Sequence, residues 1–398
     1  MKELLAVQGG KPVRKNFLPY GQQWIGKDDI KAIVKTLKSE YLTTGPKISE
    51  FEEEIANYVG AKYAIVFSSG TAALHAACFA AEIKEEDEVI TTPMTFVATA
   101  NSILYQGGKP VFADIDRRTY NIDPKDINAK ITKKTKAIIP VSFTGQPVDL
   151  EEIINSAKRN NILVIEDGSH SLGANYKDKK VGTIADMTVF SFHPVKNITT
   201  GEGGAVTTNS KVLYQKLLLF RTHGITRDKN LINNSQEPWY YEQLELGFNY
   251  RITDIQCAMG ISQLRKIDWF INRRKKIANK YNEAFKDNEL LSVPYQEDNC
   301  FSSWHLYIIQ LNLNKLKVGR KEIFEALRAE NIGVNVHYIP VYYHPYYNKI
   351  GYYKGICPNA EFIYDRIITL PLFPKMKNRD VRDVIESVIK VLEYFKKH

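Results

Sequence analysis

Lys196 sits in the stretch SFHPVKNITTGEGG (191–204), after an apolar run, with a proline two residues before it and a threonine- and glycine-rich turn after it. An amine held on such a turn in a cationic or apolar setting loses its proton more readily, and can then attack a carbonyl or carry protons. Asp167 ends the most apolar run of the chain, NILVIED (161–167). A carboxylate there needs a partner, because an unpaired buried charge is costly, although an N-cap or a surface turn is the plainer alternative. The stretch SSGTAAL (68–74) places Gly70 and Thr71 between an apolar run and an alanine-rich helix pattern. Free N–H groups and the positive end of a helix dipole suit a phosphate at such a point, though the pattern is also an ordinary strand–helix connection. Ser191 could add a hydroxyl to the same phosphate. Phe96, in TTPMTFVATAN (91–101), could stack on a heteroaromatic ring or simply pack in the core. A phosphate cradle, a stacking ring, an acid for a pyridine nitrogen and a lysine able to form a Schiff base are together what pyridoxal phosphate requires.

The elements that must position these residues are legible from about residue 60. Short apolar runs alternate with helical patterns: AIVF (64–67), TAALHAACFAA (71–81), DEVITT (87–92), FVATANSILYQ (96–106) and PVFADI (110–115). KAIIPVSF (136–143), DLEEIINSAKRN (149–160), NILVIED and ADMTVFSF (185–192) continue the series. This alternation predicts an α/β domain with a mainly parallel sheet, whose ligands gather at the carboxyl ends of the strands. The pattern changes near residue 250. Residues 251–285 carry apolar side chains at Ile252, Ile255, Met259, Leu264 and Ile267, the spacing of one long linking helix. SWHLYIIQLN (303–312) reads as a strand, GRKEIFEALRAEN (319–331) as a helix and GVNVHYI (333–339) as another strand. The expected organisation is therefore a large domain over 1–250, with the first twenty residues as an arm laid on it, and a smaller C-terminal α+β domain over 251–398.

A chain of 398 residues with 54 Lys and Arg against 45 Asp and Glu has a net charge of +9. The charges are interleaved, and no zinc-finger spacing, basic helix or RNP-like motif accompanies them, so no nucleic-acid partner is expected; an anionic small-molecule substrate accounts for the excess as well. Cys78, Cys257, Cys300 and Cys357 form no C-x-x-C pair, which argues against a metal and for reduced thiols in the cytoplasm. No apolar run approaches the ~18 residues of a membrane span, and the first residues contain no apolar signal region.

SSGTAAL, MTFVATAN, VIEDGSHSLGA, SFHPVKNITTGEGGAVTTN and LGFNYRITDIQCAMGISQL, in that order, resemble the DegT/DnrJ/EryC1/StrS sugar aminotransferases over nearly the whole chain. That resemblance implies the fold type I, aspartate aminotransferase-like architecture of pyridoxal phosphate enzymes, with pyridoxamine phosphate as the other cofactor form. It makes Lys196 the Schiff-base lysine and Asp167 the partner of the pyridine nitrogen. Gly70, Thr71 and Ser191 would hold the phosphate and Phe96 would stack on the ring. His170 stands where many members have glutamine, near the phenolic oxygen, and can still donate a hydrogen bond. Asn249 would reach the phosphate from the partner subunit, making a homodimer with a shared site. The retained lysine separates the chain from related dehydratases, which have histidine there.

FHPVKNITTGEGG, YLTTGP (41–46) and HYIPVYYHPYY (337–347) are similar to a narrower branch. Its members move the amino group of L-glutamate to the C4 ketone of a UDP-linked 4-keto-6-deoxy-N-acetylhexosamine in pseudaminic acid biosynthesis. For such a doubly anionic substrate, Arg251, Tyr338, Tyr342 and Tyr343 are candidates for the diphosphate and uracil, since arginine grips phosphates bidentately. Packed surface or dimer contact is an equal alternative for the tyrosines. Thr43, Thr44 and Gly45 would close over the sugar, or form a plain turn. Other acceptors remain open: a different UDP- or dTDP-linked 3- or 4-keto sugar, an amino acid, or no reaction at all in a cofactor-fold sensor.

Overall fold

The structure, a computed structural model, describes residues 4–228, 230–232 and 237–397. The apolar runs form strands β1 (Tyr63–Phe67), β2 (Glu88–Thr91), β3 (Lys109–Phe112), β4 (Thr135–Ile139), β5 (Leu163–Asp167), β6 (Met187–Ser191) and β7 (Gly204–Thr208). They make one seven-stranded sheet in the order β1-β7-β6-β5-β4-β2-β3. Strand β7 runs antiparallel to both β1 and β6, and the remaining pairings are parallel. The strands are buried because helices cover both faces, which is why they read as continuous apolar runs rather than alternating ones. The helix Gly70–Ala80 is buried almost all round, with alanines that let it lie close against the sheet.

A second, three-stranded sheet is built from β8 (Leu291–Ser292), β9 (Tyr307–Leu311) and β10 (Ile367–Leu370). The amphipathic helices Arg320–Ala329 and Asn378–Phe395 pack on it through Ile323, Leu327, Val384, Val388 and Leu392.

Three features differ from the sequence reading. Residues 251–285 form two helices, Asp254–Leu264 and Ile267–Phe285, interrupted at Arg265 and Lys266. Lys266 makes 2.7 Å ion pairs with both Asp28 and Asp29 at the break. The first helix starts on a Thr253–Gln256 capping box and packs against helices Lys27–Leu37 and Pro46–Val59. The second carries Ile277, Tyr281 and Phe285 into the small-domain core. Second, the N-terminal arm lies on the small domain. Leu5 and Leu18 are part of its core, Glu330 accepts from the N–H groups of Ala6 (3.0 Å) and Val13 (2.8 Å), and Arg14 pairs with Asp380 and Asp383. Third, residues 333–339 form no strand: only Asn335 bridges to Thr369, and the strand beside β9 is β10 instead. Among the described residues no helix is long and apolar enough to cross a membrane.

Candidate active site

Parallel strands deliver their carboxyl ends to one edge of a sheet, and the candidate residues arrive there together. Asp167 ends β5, Ser191 ends β6, Gly70 opens the helix after β1, and Phe96 lies in the turn after β2. All four line a single cavity of about 810 Å³, together with Thr71, His170, Lys196 and Tyr338.

Glycines set the close approaches. A Cβ on Gly70 would lie 2.9 Å from Ser191 Cβ, and one on Gly204 would lie 2.6 Å from the Ser69 carbonyl oxygen. Without side chains there, the amino end of an eleven-residue helix sits directly beside the Ser191 hydroxyl. That is a cradle for a phosphate.

Asp167 is only 3% exposed. One carboxylate oxygen accepts the Ser169 N–H at 3.1 Å and the other the Thr99 hydroxyl at 2.7 Å. The Lys196 amine has no hydrogen bond or ion pair within the described residues. Burial lowers its pKa to about 8, with the Asp167 charge opposing the shift, so about a tenth is free base at pH 7. Phe96 is 59% exposed although aromatic, with its ring 6.2 Å from that of Tyr338. Core packing therefore does not account for it, and its face is available to another ring. The His170 Nε2 is 3.3 Å from the Tyr338 hydroxyl. Burial and the nearby Lys196 charge hold the pKa of His170 well below its ordinary value, so the imidazole is neutral.

This set fits pyridoxal phosphate: a glycine-floored helix terminus, a buried carboxylate, an exposed ring and an unpaired amine of lowered pKa share one cavity. The family model of the DegT/DnrJ/EryC1/StrS aminotransferases matches residues 23–389. The chain belongs to that family. The aminotransferase is 44% identical to the spore coat polysaccharide biosynthesis protein SpsC of Bacillus subtilis, covering 94% of this chain and 97% of SpsC. It is 43% identical to the UDP-4-amino-4,6-dideoxy-N-acetyl-beta-L-altrosamine transaminase of Campylobacter jejuni, covering 96% and 99%. Among solved structures, Helicobacter pylori PseC, an aminotransferase involved in the biosynthesis of pseudoaminic acid, superposes with a TM-score of 0.89 at 36% identity, covering 96% of this chain and all of PseC. Spr1654 of Streptococcus pneumoniae, at 31% identity and 95% and 99% coverage, is similar in both its PMP form (TM-score 0.89) and its PLP form (0.88). The aminotransferase is thus a fold type I, pyridoxal phosphate-dependent transaminase of sugar nucleotides, alternating between pyridoxal and pyridoxamine phosphate.

Several candidates lie elsewhere. Asn249 is exposed and does not line the cavity of its own chain. Arg251, Thr44 and Gly45 line a second depression of about 410 Å³ with Arg221 and Glu52, and Thr43 is bridged to Thr253. Gly45 has a packing reason: its N–H donates to Asp254 at 2.6 Å, and a Cβ would lie 2.4 Å from Tyr41 Cβ. Tyr342 is a core residue, fully buried, donating its hydroxyl to Glu361 at 2.9 Å and packing on Phe112; it cannot meet a substrate from there. Tyr343 packs edge-on against Tyr364, outside the cavity. The structure adds Thr95, Thr99, Tyr20, Asn335, His305 and His337 to the cavity wall. Thr95 and Thr99 flank Phe96 in the quoted MTFVATAN motif, but nothing local ties them to Asp167, 68 residues from Thr99.

Proposed function

We propose that the aminotransferase transfers the amino group of L-glutamate to a nucleotide-linked keto sugar. The specific reading is the C4 ketone of a UDP-linked 4-keto-6-deoxy-N-acetylhexosamine, giving a UDP-4-amino-4,6-dideoxy sugar as in pseudaminic acid biosynthesis. The observation that carries the chemistry is the unpaired, partly deprotonated Lys196 in one cavity with buried Asp167. Similarity to the Campylobacter transaminase supports the specific acceptor. Near-equal similarity to SpsC favours the broader alternative, another nucleotide-linked 3- or 4-keto sugar.

Bound pyridoxal phosphate supplies an aldehyde that receives the amino group and a ring that accepts electrons from the substrate carbon. The protein does the rest. The amino end of the Gly70–Ala80 helix, Thr71 and Ser191 would hold the phosphate, Phe96 would cover one face of the ring, and neutral His170 would hydrogen-bond the phenolic oxygen. Asp167 would keep the pyridine nitrogen protonated. Lys196 would hold the cofactor aldehyde at rest; once the amine of glutamate has displaced it, the freed amine would take the proton from the glutamate α-carbon and later deliver one to C4 of the sugar, which would set its configuration.

No arginine among the described residues lines this cavity, yet the acceptor carries a diphosphate. A second copy of the chain, bringing Asn249 and Arg251, completes the site in this reading. The exposed apolar residues that precede them in the chain, Trp239 at 71% and Leu246 at 77%, support a covered face there. A cytoplasmic setting accords with four unpaired cysteines.

The test follows the visible absorption of the loaded protein as L-glutamate and then a keto sugar are added. Loss of the band with release of 2-oxoglutarate, and its return only with the UDP-linked 4-keto sugar, is the expected result. Return with a dTDP-linked or 3-keto sugar moves the acceptor to the alternative. Return only with a 2-oxo acid makes it an amino-acid transaminase and ends the sugar reading.

A further inference from the structure

Asp167 is held by more than its strand. Thr99 donates its hydroxyl hydrogen to Asp167 Oδ2 at 2.7 Å, and the Thr95 and Thr99 hydroxyl oxygens are 2.8 Å apart. A carboxylate can only accept, so the direction of the chain is determined: Thr99 gives its hydrogen to Asp167 and must receive that of Thr95. Both threonines are buried, at 3% and 1% exposure, and both line the cavity. Thr95 lies in the turn that presents Phe96 and Thr99 at the start of the helix Ala98–Tyr105 that follows it; the Phe96 carbonyl oxygen accepts the Thr99 N–H at 3.3 Å.

We propose that Thr99, backed by Thr95, is a positioning residue that polarises and orients Asp167 toward the ring nitrogen of the cofactor, so that one turn sets both the stacking face and the acid partner. The inference rests on the reading of Asp167 as the partner of that nitrogen. The bond from Thr99 occupies one side of Oδ2 and, with the Ser169 N–H on Oδ1, prevents rotation of the carboxylate. It also stabilises the ionised form, since hydrogen bonds to a charged acceptor are about twice as strong as neutral ones. Without it the carboxylate is free to turn and is less directed toward the ring nitrogen.

The experiment measures the dissociation constant of pyridoxal phosphate, and of its analogue with C–H in place of the ring nitrogen, for wild type and for Thr99→Val, Thr99→Ser and Thr95→Val. Thr99→Val should weaken pyridoxal phosphate binding about ten- to a hundredfold, the range of a hydrogen bond to a charged group, and leave the analogue within about threefold. Thr99→Ser, which keeps the hydroxyl, should restore wild-type affinity, and Thr95→Val should lose affinity in the same direction by a smaller factor. Equal loss for both ligands makes the hydroxyl merely structural and overturns the proposal, as does wild-type affinity in both valine variants. Should Thr99→Val fail to fold, Thr95→Val decides alone by the same comparison. If wild type itself binds the two ligands equally, the Asp167 reading fails instead.

Discussion

The lowered pKa of Lys196 leads to a measurable rate profile. An ordinary lysine titrates near 10.5, whereas burial brings this one to about 8. At pH 7 about a tenth of a group with the lower value is free amine, against about one part in three thousand of an ordinary lysine, a gain of about 300-fold in nucleophile. The rate at which cofactor-free protein captures pyridoxal phosphate, followed by stopped-flow visible absorption, should therefore rise about tenfold per pH unit and level off near pH 8. Asp167 opposes the shift through its charge, so Asp167→Asn should move the plateau to lower pH. The same burial has a stability consequence. Between about 8 and 10.5 the unfolded chain holds a proton that the folded chain has lost, so the cofactor-free protein gains stability as pH rises through that window, by about 3 kcal/mol at most. Below about 8 both states are protonated and the full cost of burying the charge is present. Lys196→Met should remove that cost and flatten the pH dependence of thermal unfolding in this window. A capture rate still climbing at pH 10, or a plateau unmoved by Asp167→Asn, refutes the reasoning that burial tunes this amine.

Three further outcomes test the site. Asp167→Ala should lower the single-turnover rate by at least about a hundredfold, because removing one member of a buried charge pair costs about 3–5 kcal/mol; a folded variant within tenfold of wild type removes Asp167 from its role. Tyr342→Phe should lower stability by about 1–2 kcal/mol through loss of the bonds to Glu361 and the Cys357 N–H, with KM for the keto sugar unchanged; a raised KM at unchanged stability would return Tyr342 to the substrate. Mixing inactive Lys196→Ala with inactive Asn249→Asp protein should recover activity in the hybrid, where one site keeps both residues. Absence of recovery after demonstrated subunit exchange counts against a shared site.

The cluster of Gly70, Phe96, Asp167 and Ser191 was legible because each lies immediately after a short apolar run, and parallel strands place such positions on one edge whatever the details of their packing. Lys196 followed for the same reason, five residues beyond the end of β6. What the sequence could not reveal depends on partners distant in the chain. The alternation in GVNVHYI reads as a half-buried strand with a solvent face, but His337 bonds Thr369 through Nδ1 at 2.9 Å and lines the cavity. Its polar face looks into the site, not into water. Tyrosine has an apolar ring and a polar tip, so HYIPVYYHPYY was equally compatible with a ligand surface and a core; the carboxylate of Glu361 places Tyr342 in the core. The arm carries little apolar periodicity of its own, and Glu330 and the Asp380–Asp383 pair draw it onto the small domain. Local pattern thus determined the succession of strands along the chain and the positions that meet at one edge of the sheet. The tertiary structure alone decided which hydroxyls support Asp167 and which tyrosines are core, because those outcomes depend on burial and on hydrogen-bond partners that no local spacing encodes.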